Sequence, residues 1–591
     1  MLQPVRPPPR RPLVGPPLTQ RRRAILITLL AIAVGALALN LAIALRHPIH
    51  ATTGPRVLVF DVPTEVDEGP PPPTLNLDLL RRERPTFHEL LFAMRHAADD
   101  RSVTGVVLHV DALDWGWARV YEMASAVRAV RDAGKPVYAS LDGGSEKEFL
   151  LASAAGVLAM PPVSTLQLDG LTASAMFLHG AYEKLGIKPN FAHVGRYKSA
   201  VEQYTRDSLS PDGRRAMEEL LDDEFTLLVD SLASARRMST DSVRGLIDGG
   251  PYTARQAHAR GLVDTLLAEA EVDSLAAHAD GSRQPTGSFA RYAQERGEGT
   301  GEHIALVVAE GEIVDGRSSQ GPFGGRAVGD RTLVEALREI RGRHNIRAVV
   351  LRIDSPGGSG DASDAVWQEL RRLRREKPVI VSMGDVAASG GYYLACAGDA
   401  IVAGPSTITG SIGVFGGKLN VLGLYRKLGL NVETVHRGKH AEMWSPYHDF
   451  DAEEIALYQR SLEQFYDVFL SRVAEGRRMA AADVDSVGQG RVWSGLAARQ
   501  RGLVDRFGGL YEAFQVARRR GHIEPDAEVT VEVFPRPRKT FFQRWLGGVF
   551  DEPDQDDARF PGLGEFAQWY RMARNPAGEV MALMPYAIRI E

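Results

Sequence analysis

Two stretches of this chain are the same unit written twice, and this duplication constrains the fold more than any single motif does. Tyr182-Glu183-Lys184-Leu185-Gly186-Ile187 returns as Tyr425-Arg426-Lys427-Leu428-Gly429-Leu430, 243 positions later. At the same offset Leu151-Ala152-Ser153-Ala154 lies under Leu394-Ala395-Cys396-Ala397, and Gly170 under Gly413. Arg260-Gly261-Leu262-Val263-Asp264 matches Arg501-Gly502-Leu503-Val504-Asp505 at an offset of 241. The copies disagree where chemistry would sit. The second has Ser389 where the first has Glu146, and the first has Lys198 where the second has Ala441. A serine and a lysine each confined to one half can form one site only if the halves fold against each other.

With 591 residues, 44% hydrophobic and 25% charged, the chain can bury several cores and divide into about two to four domains. A net charge of −5 and a pI near 6.3 give no sign of nucleic-acid binding. The single cysteine, Cys396, excludes intramolecular disulfides and any zinc-type cysteine pattern. Absence of disulfides does not exclude the bacterial periplasm, because a large core does not need them.

Residues 24–45 form an uncharged, strongly apolar run of 22 residues, long enough as a helix (roughly 33 Å) to span a bilayer core. The preceding residues carry Arg6, Arg10, Arg11, Arg21, Arg22 and Arg23 and no acid, which predicts a cytoplasmic N-terminus with everything after Arg46 outside. A cleaved signal peptide fits less well, since Leu45-Arg46-His47-Pro48 offers no small-residue cleavage site. The expected organisation is a Pro/Arg-rich cytoplasmic tail over 1–23, an anchor over 24–45, an N-terminal repeat over 46–267, a linker over 268–302, a C-terminal repeat over 303–533 and a tail over 534–591.

Each repeat opens with short β-branched strands separated by amphipathic helices: Val57–Phe60, Gly105–Val110 and Val137–Ala139 in the first, Ile304–Val308, Ala348–Ile353 and Val379–Val381 in the second. That alternation predicts βαβ units, mainly parallel sheet and an α/β fold class. Helical periodicity over Arg214–Arg237 and Ala452–Arg478 predicts long packing helices. The stretch from Ala268 to Glu302 reads as a partly helical linker rather than a core. In the tail, the basic Pro535-Arg536-Pro537-Arg538-Lys539 beside Phe541, Phe542 and Trp545 suits either a membrane surface or a helix docked on the protein. Asp551–Asp557 reads as a solvated acidic loop.

Three patterns in the second repeat carry chemistry. Asp354-Ser355-Pro356-Gly357-Gly358-Ser359 follows a strand, and adjacent glycines there let backbone N–H groups face outward, as an oxyanion hole requires. Met383-Gly384-Asp385-Val386-Ala387-Ala388-Ser389-Gly390-Gly391-Tyr392-Tyr393 puts Ser389 at the start of an apolar helix, with the Gly390 N–H free to donate. Ser389 as a mere N-cap is the bland alternative, but it leaves the small residues on both sides unexplained. The third, Gly404-Pro405-Ser406-Thr407-Ile408-Thr409-Gly410-Ser411-Ile412-Gly413-Val414, suits an apolar specificity pocket. Rival bases exist in Lys439, His193, His436 and His440. The context of Ser389 lacks the G-x-S-x-G elbow of α/β-hydrolases.

In this order and spacing the three segments resemble the signal peptide peptidase A family of membrane-bound serine peptidases, in its long, duplicated form. The resemblance covers nearly the whole chain from the anchor to about residue 530. It implies tandem crotonase/Clp-protease-like repeats, a Ser/Lys dyad with Ser389 as nucleophile and Lys198 as general base, and backbone donors from Gly358 and Gly390. Gly357 and Ser411 would support the site or line its pocket. It also implies peptide substrates in the form of signal-peptide remnants, contact with membrane lipid through 24–45, a homo-oligomer (a tetramer), periplasmic placement, and no metal or organic cofactor. A lysine base demands an amine whose pKa of about 10.4 is lowered by several units, which burial at a seam between the repeats would supply. Two other readings stand beside this one: an acyl-CoA enzyme of the crotonase type, for which no adenine loop or paired glutamate is recognisable, and a catalytically silent membrane scaffold.

Overall fold

The strands and helices expected from periodicity are present, and the duplication is visible down to single ion pairs. The computed structural model describes residues 55–70, 85–279, 281–295, 301–320, 325–524, 527–536, 580–584 and 589–590. The expected anchor over 24–45, the aromatic residues 541–550 and the acidic loop 551–557 lie outside the described residues. Among the described residues no helix is long and apolar enough to cross a membrane.

In the first repeat β1 (Arg56–Asp61), β2 (Val103–Val110), β3 (Val137–Leu141) and β4 (Val157–Met160) pair in sequence order, all parallel. The helices between them include α1 (Trp117–Asp132) and α2 (Glu146–Ala152). A further strand, β5 (Lys188–Val194), leads to the lysine loop, and α3 (Pro211–Arg236) follows it. The second repeat repeats the pattern with β6 (Glu302–Glu310), β7 (Ile346–Ser355), the short β8 (Gly357–Ser359) and β9 (Val379–Ala388). Its helices include α4 (Gly390–Ala395) and α5 (Ala452–Arg477), with β10 (Val414–Asn420) between them. β6, β7 and β9 pair in parallel and are almost wholly buried, which is why they read as continuous apolar runs rather than alternating ones.

The recurring Arg-Gly-Leu-Val-Asp motif has a structural cause. In each copy the aspartate ties a helix end to a strand: Asp264 Oδ1 is 2.6 Å from Arg236 Nη2, and Asp505 Oδ1 is 2.6 Å from Arg477 Nη2. The same carboxylates accept the Leu158 N–H (2.8 Å) and the Ile401 N–H (2.7 Å). The motif glycines, Gly261 and Gly502, sit at φ +74° and +76°, where a side chain would be strained.

Two segments outside the expected repeats contribute strands. Within the stretch expected as a linker, Thr286–Ser288 pairs in parallel with β1, and Phe289, wholly buried, packs with its ring 4.4 Å from that of Phe60 and tilted to it by 38°. Aromatic burial outweighed a composition that is polar on average. The tail over 534–591 also contributes strand, because residues 581–583 form β11 inside a sheet of the second repeat.

That sheet joins the copies. Its order runs Ser319–Gln320, Arg326–Gly329, Glu312–Val314, β8, β11, β10, β5. β5 of the first repeat pairs antiparallel with β10 of the second along its full length, Val194 opposite Val414 through to Lys188 opposite Asn420. The lysine loop at the end of β5 is thereby delivered to the serine half.

Candidate active site

β9 ends at Ala388, and Ser389 caps α4 in a backbone conformation of φ 55°, ψ −112° that L residues rarely adopt. Such strain costs about 1–3 kcal/mol and persists only where the surroundings enforce it. Here the Ser389 N–H is held by Gly410 O at 2.8 Å, while the side chain makes no capping hydrogen bond to α4. Ser389 thus holds the N-cap position without capping through its side chain: its Oγ lies instead 2.8 Å from Lys198 Nζ.

Lys198 arrives from the other repeat, four residues beyond β5. Gly195 turns the chain at φ +104°, the Lys198 N–H bonds Gly195 O at 3.0 Å, and the Tyr197 N–H bonds Gln489 O at 2.8 Å. Lys198 is 1% exposed and Ser389 0%. The amine also lies 3.2 Å from Ser411 O and 3.0 Å from Ser411 Oγ, and among the described residues no carboxylate contributes to its electrostatics. Burial without a counter-charge holds the Lys198 pKa well below the usual lysine value. A neutral amine has two N–H groups and one lone pair. Donating both to Ser411 leaves the lone pair for the Ser389 hydroxyl.

On the other side of Ser389 lie the glycines. Gly357, at φ +101°, is packed so tightly that a Cβ on it would stand 2.7 Å from the Gly390 N and 3.1 Å from Ala388 O. Gly390 itself opens α4, so its N–H is among those the helix leaves unpaired. The structure brings Ser389, Lys198 and Ser411 into one hydrogen-bonded group, sets Gly357 against Gly390, and puts Gly358 next to Gly357 in β8 against Ile313.

The rival bases are engaged elsewhere. Lys439 is exposed and pairs with Glu453, His436 pairs with Glu442 at 3.2 Å, His440 lies 3.5 Å from Glu453, and His193 Nδ1 lies 3.2 Å from Gly195 O. In the first repeat the position of Ser389 is filled by a latch rather than a nucleophile: Glu146 Oε1 accepts the N–H groups of Asp169 (2.9 Å) and Gly170 (2.8 Å).

The model of peptidase family S49 matches this chain twice, over residues 129–281 and 371–524. The chain belongs to peptidase family S49. Two similar family members are a chloroplastic serine protease SPPA of Arabidopsis thaliana, 35% identical over 79% of this chain and 70% of that protein, and Protease 4 of Salmonella typhi, 33% identical over 73% and 72%. Among solved structures, a ClpP1 mutant from Listeria monocytogenes aligns with 35% of this chain and 93% of its own at 13% identity and a TM-score of 0.23. This S49 chain is a serine peptidase with a mixed α/β fold built from two family repeats.

The S49 fold also holds a charged network that the motifs did not reveal. Arg119 of α1 pairs with Asp385 of β9 and, at 3.2 Å, with Asp354 of β7, whose other oxygen accepts the Val386 N–H at 2.9 Å. Next to them Arg352, 0% exposed, bonds Glu68 and Glu122 of the first repeat, each at 2.8 Å. The signal was present as charged residues interrupting apolar strands, Arg352 in β7 and Asp385 in β9.

Proposed function

We propose that Ser389 is the nucleophile and Lys198 the general base of this peptidase. The observation that carries this reading is the 2.8 Å approach of Ser389 Oγ to a buried amine with no counter-charge. Ser389 Oγ attacks the peptide carbonyl carbon as its proton passes to Lys198 Nζ, and the developing oxyanion is met by the N–H groups of Gly358 and Gly390. Lys198 then gives the proton to the leaving amine. In the second half-reaction it takes a proton from the water that hydrolyses the ester. Ser411 orients the amine through its carbonyl and hydroxyl oxygens.

The substrates proposed are cleaved signal peptides, met by a chain anchored through residues 24–45 with its repeats on the periplasmic face of a bacterial inner membrane. The uncharged run and its arginine flank support the anchor, and the similarity to signal peptide peptidases supports the substrate class. A homo-oligomer, with a tetramer as its expected form, rests on that similarity alone.

A fluorophosphonate probe tests the dyad. Labelling and peptide hydrolysis are expected to vanish in Ser389→Ala and to fall by about a thousandfold in Lys198→Ala. Labelling that survives in Ser389→Ala removes the nucleophile, and hydrolysis that stays near the wild-type rate in Lys198→Ala removes the base.

A further inference from the structure

Two buried polar atoms at the seam have no hydrogen-bond partner among the described residues: Oε1 of Glu224, on α3, and Oγ of Ser406, the residues being 4% and 7% exposed. Leaving such a group dry and unpaired costs about 1–3 kcal/mol, so an unmet pair in one place points to a partner from outside the chain. Both residues line a single cavity of about 230 Å³. The first repeat supplies Trp115, Lys147 and Leu220 to its wall beside Glu224, and the second supplies Val386 and Ile408 beside Ser406. Ser389, Lys198 and Ser411 take no part in that wall.

The charge on the wall specifies that partner. Three carboxylates, from Asp114, Asp354 and Asp385, stand with two cations, Arg119 and Lys147. Arg119 is already shared between Asp354 and Asp385. Glu224 itself is surrounded by Tyr121 of α1, Lys147 of α2, Asp223 of its own helix and Asp385 of β9. Burial first, and then the two aspartates, hold its carboxyl up at about 8, against the pull of Tyr121 and Lys147. A further negative charge is therefore resisted until a positive one arrives, and a bound cation would turn the acid into its own counter-ion. Leu220, Ile408 and Trp115 leave an apolar lining for whatever carries that cation.

We propose that this cavity binds a small primary ammonium compound with a short apolar chain, its head between Glu224 and Ser406 and its carbons against Leu220 and Ile408. On binding, Glu224 releases its proton to solvent while the ligand keeps its own, which leaves an ammonium–carboxylate pair with the Ser406 hydroxyl oxygen as a second acceptor. A ligand held by one residue from each repeat bridges the seam that brings Lys198 to Ser389, and by mass action it stabilises the folded chain. Free alkylamines and the N-terminus of a short peptide share this head group. The proposal stands on the cavity and does not rest on the Ser389–Lys198 reading.

Isothermal titration calorimetry on the full chain at pH 7 tests it, with isoamylammonium chloride as the free amine, leucinamide hydrochloride as the peptide N-terminus and isoamyl alcohol as the neutral isostere. At least one ammonium probe is expected to bind saturably, and the alcohol about tenfold or more weakly than that probe. Titrations repeated in phosphate and Tris buffers are expected to show the release of about one proton per site, since Glu224 is mainly protonated beforehand. Glu224→Gln is expected to abolish that release and to weaken binding about tenfold or more, and Ser406→Ala to weaken it about two- to tenfold. Binding of leucinamide alone assigns the cavity to peptide N-termini, and binding of isoamylammonium assigns it to free amines; either upholds the proposal. No saturable binding of either probe leaves the cavity to water and overturns it. Affinity that both variants leave unchanged also overturns it, and Ser406→Ala alone decides should Glu224→Gln not fold.

Discussion

Gly490 presses on Lys198 so closely that a Cβ on the glycine would stand 2.6 Å from the lysine's own Cβ and 2.6 Å from its backbone N. Gly490 also sits at φ +75°, and its carbonyl lies 3.4 Å from Ser411 Oγ. One residue thus braces both Lys198 and Ser411.

Gly490→Ala is therefore expected to shift the amine without touching substrate. A displacement of about an ångström in a catalytic group costs on the order of a hundredfold in rate. Steady-state kinetics should show the loss in kcat with KM nearly unchanged, beside a lowered melting temperature. A variant with wild-type kcat would show that the loop gives way without moving Lys198.

Lys198→Arg separates charge from basicity. A guanidinium stays protonated at any working pH and cannot accept the serine proton, so this substitution should abolish activity as fully as Lys198→Ala. In the wild type, burial lowers the Lys198 pKa well below its usual value. Activity should accordingly rise with pH through that lowered value and be complete well below about 10.4, the ordinary lysine pKa. A profile that keeps rising to pH 10 would show an amine that is not desolvated.

Much of this was legible in the sequence for physical reasons that differ by residue. Buried parallel strands such as β6 and β7 announce themselves as apolar runs. The split of Ser389 and Lys198 between copies announced a seam, because the aligned positions Glu146 and Ala441 lack the chemistry. Packing at a distance was not legible. Nothing local to Phe289 shows that it meets Phe60, and nothing local to Ala582 shows that it lies on Gly358. Likewise, Arg352 signals only that a buried charge needs partners, and not that Glu68 and Glu122 supply them.

Those partners make Arg352 the most fragile position at the seam. Its two carboxylates at 2.8 Å come from the other repeat, and removing one member of a buried ionic group costs about 3–5 kcal/mol because the others stay buried and unpaired. Arg352→Ala should lower the melting temperature sharply and reduce activity through the loosened seam. Replacing Arg352, Glu68 and Glu122 together with apolar residues of similar volume should recover much of the stability, since the unpaired charges leave with it. Chemical denaturation of both variants checks the contrast.

Glu224 on α3 offers a pH test of the first repeat. The residue is 4% exposed, and burial, only partly offset by a hydrogen bond with Tyr121 and the attraction of Lys147, pushes its carboxyl up to about 8. The folded-state pKa thus lies above the unfolded value of about 4.3. A group shifted in this direction contributes stability that is fully present below the unfolded pKa and is lost as pH rises through the folded one. At about 1.4 kcal/mol per unit the loss amounts to several kcal/mol before relaxation of the surroundings reduces it. Glu224→Gln cannot ionise and lacks this dependence. Its melting temperature should match or fall slightly below that of the wild type at pH 5 and exceed it at pH 9. Parallel melting curves across that range would show that Glu224 is ionised and solvated in the folded chain.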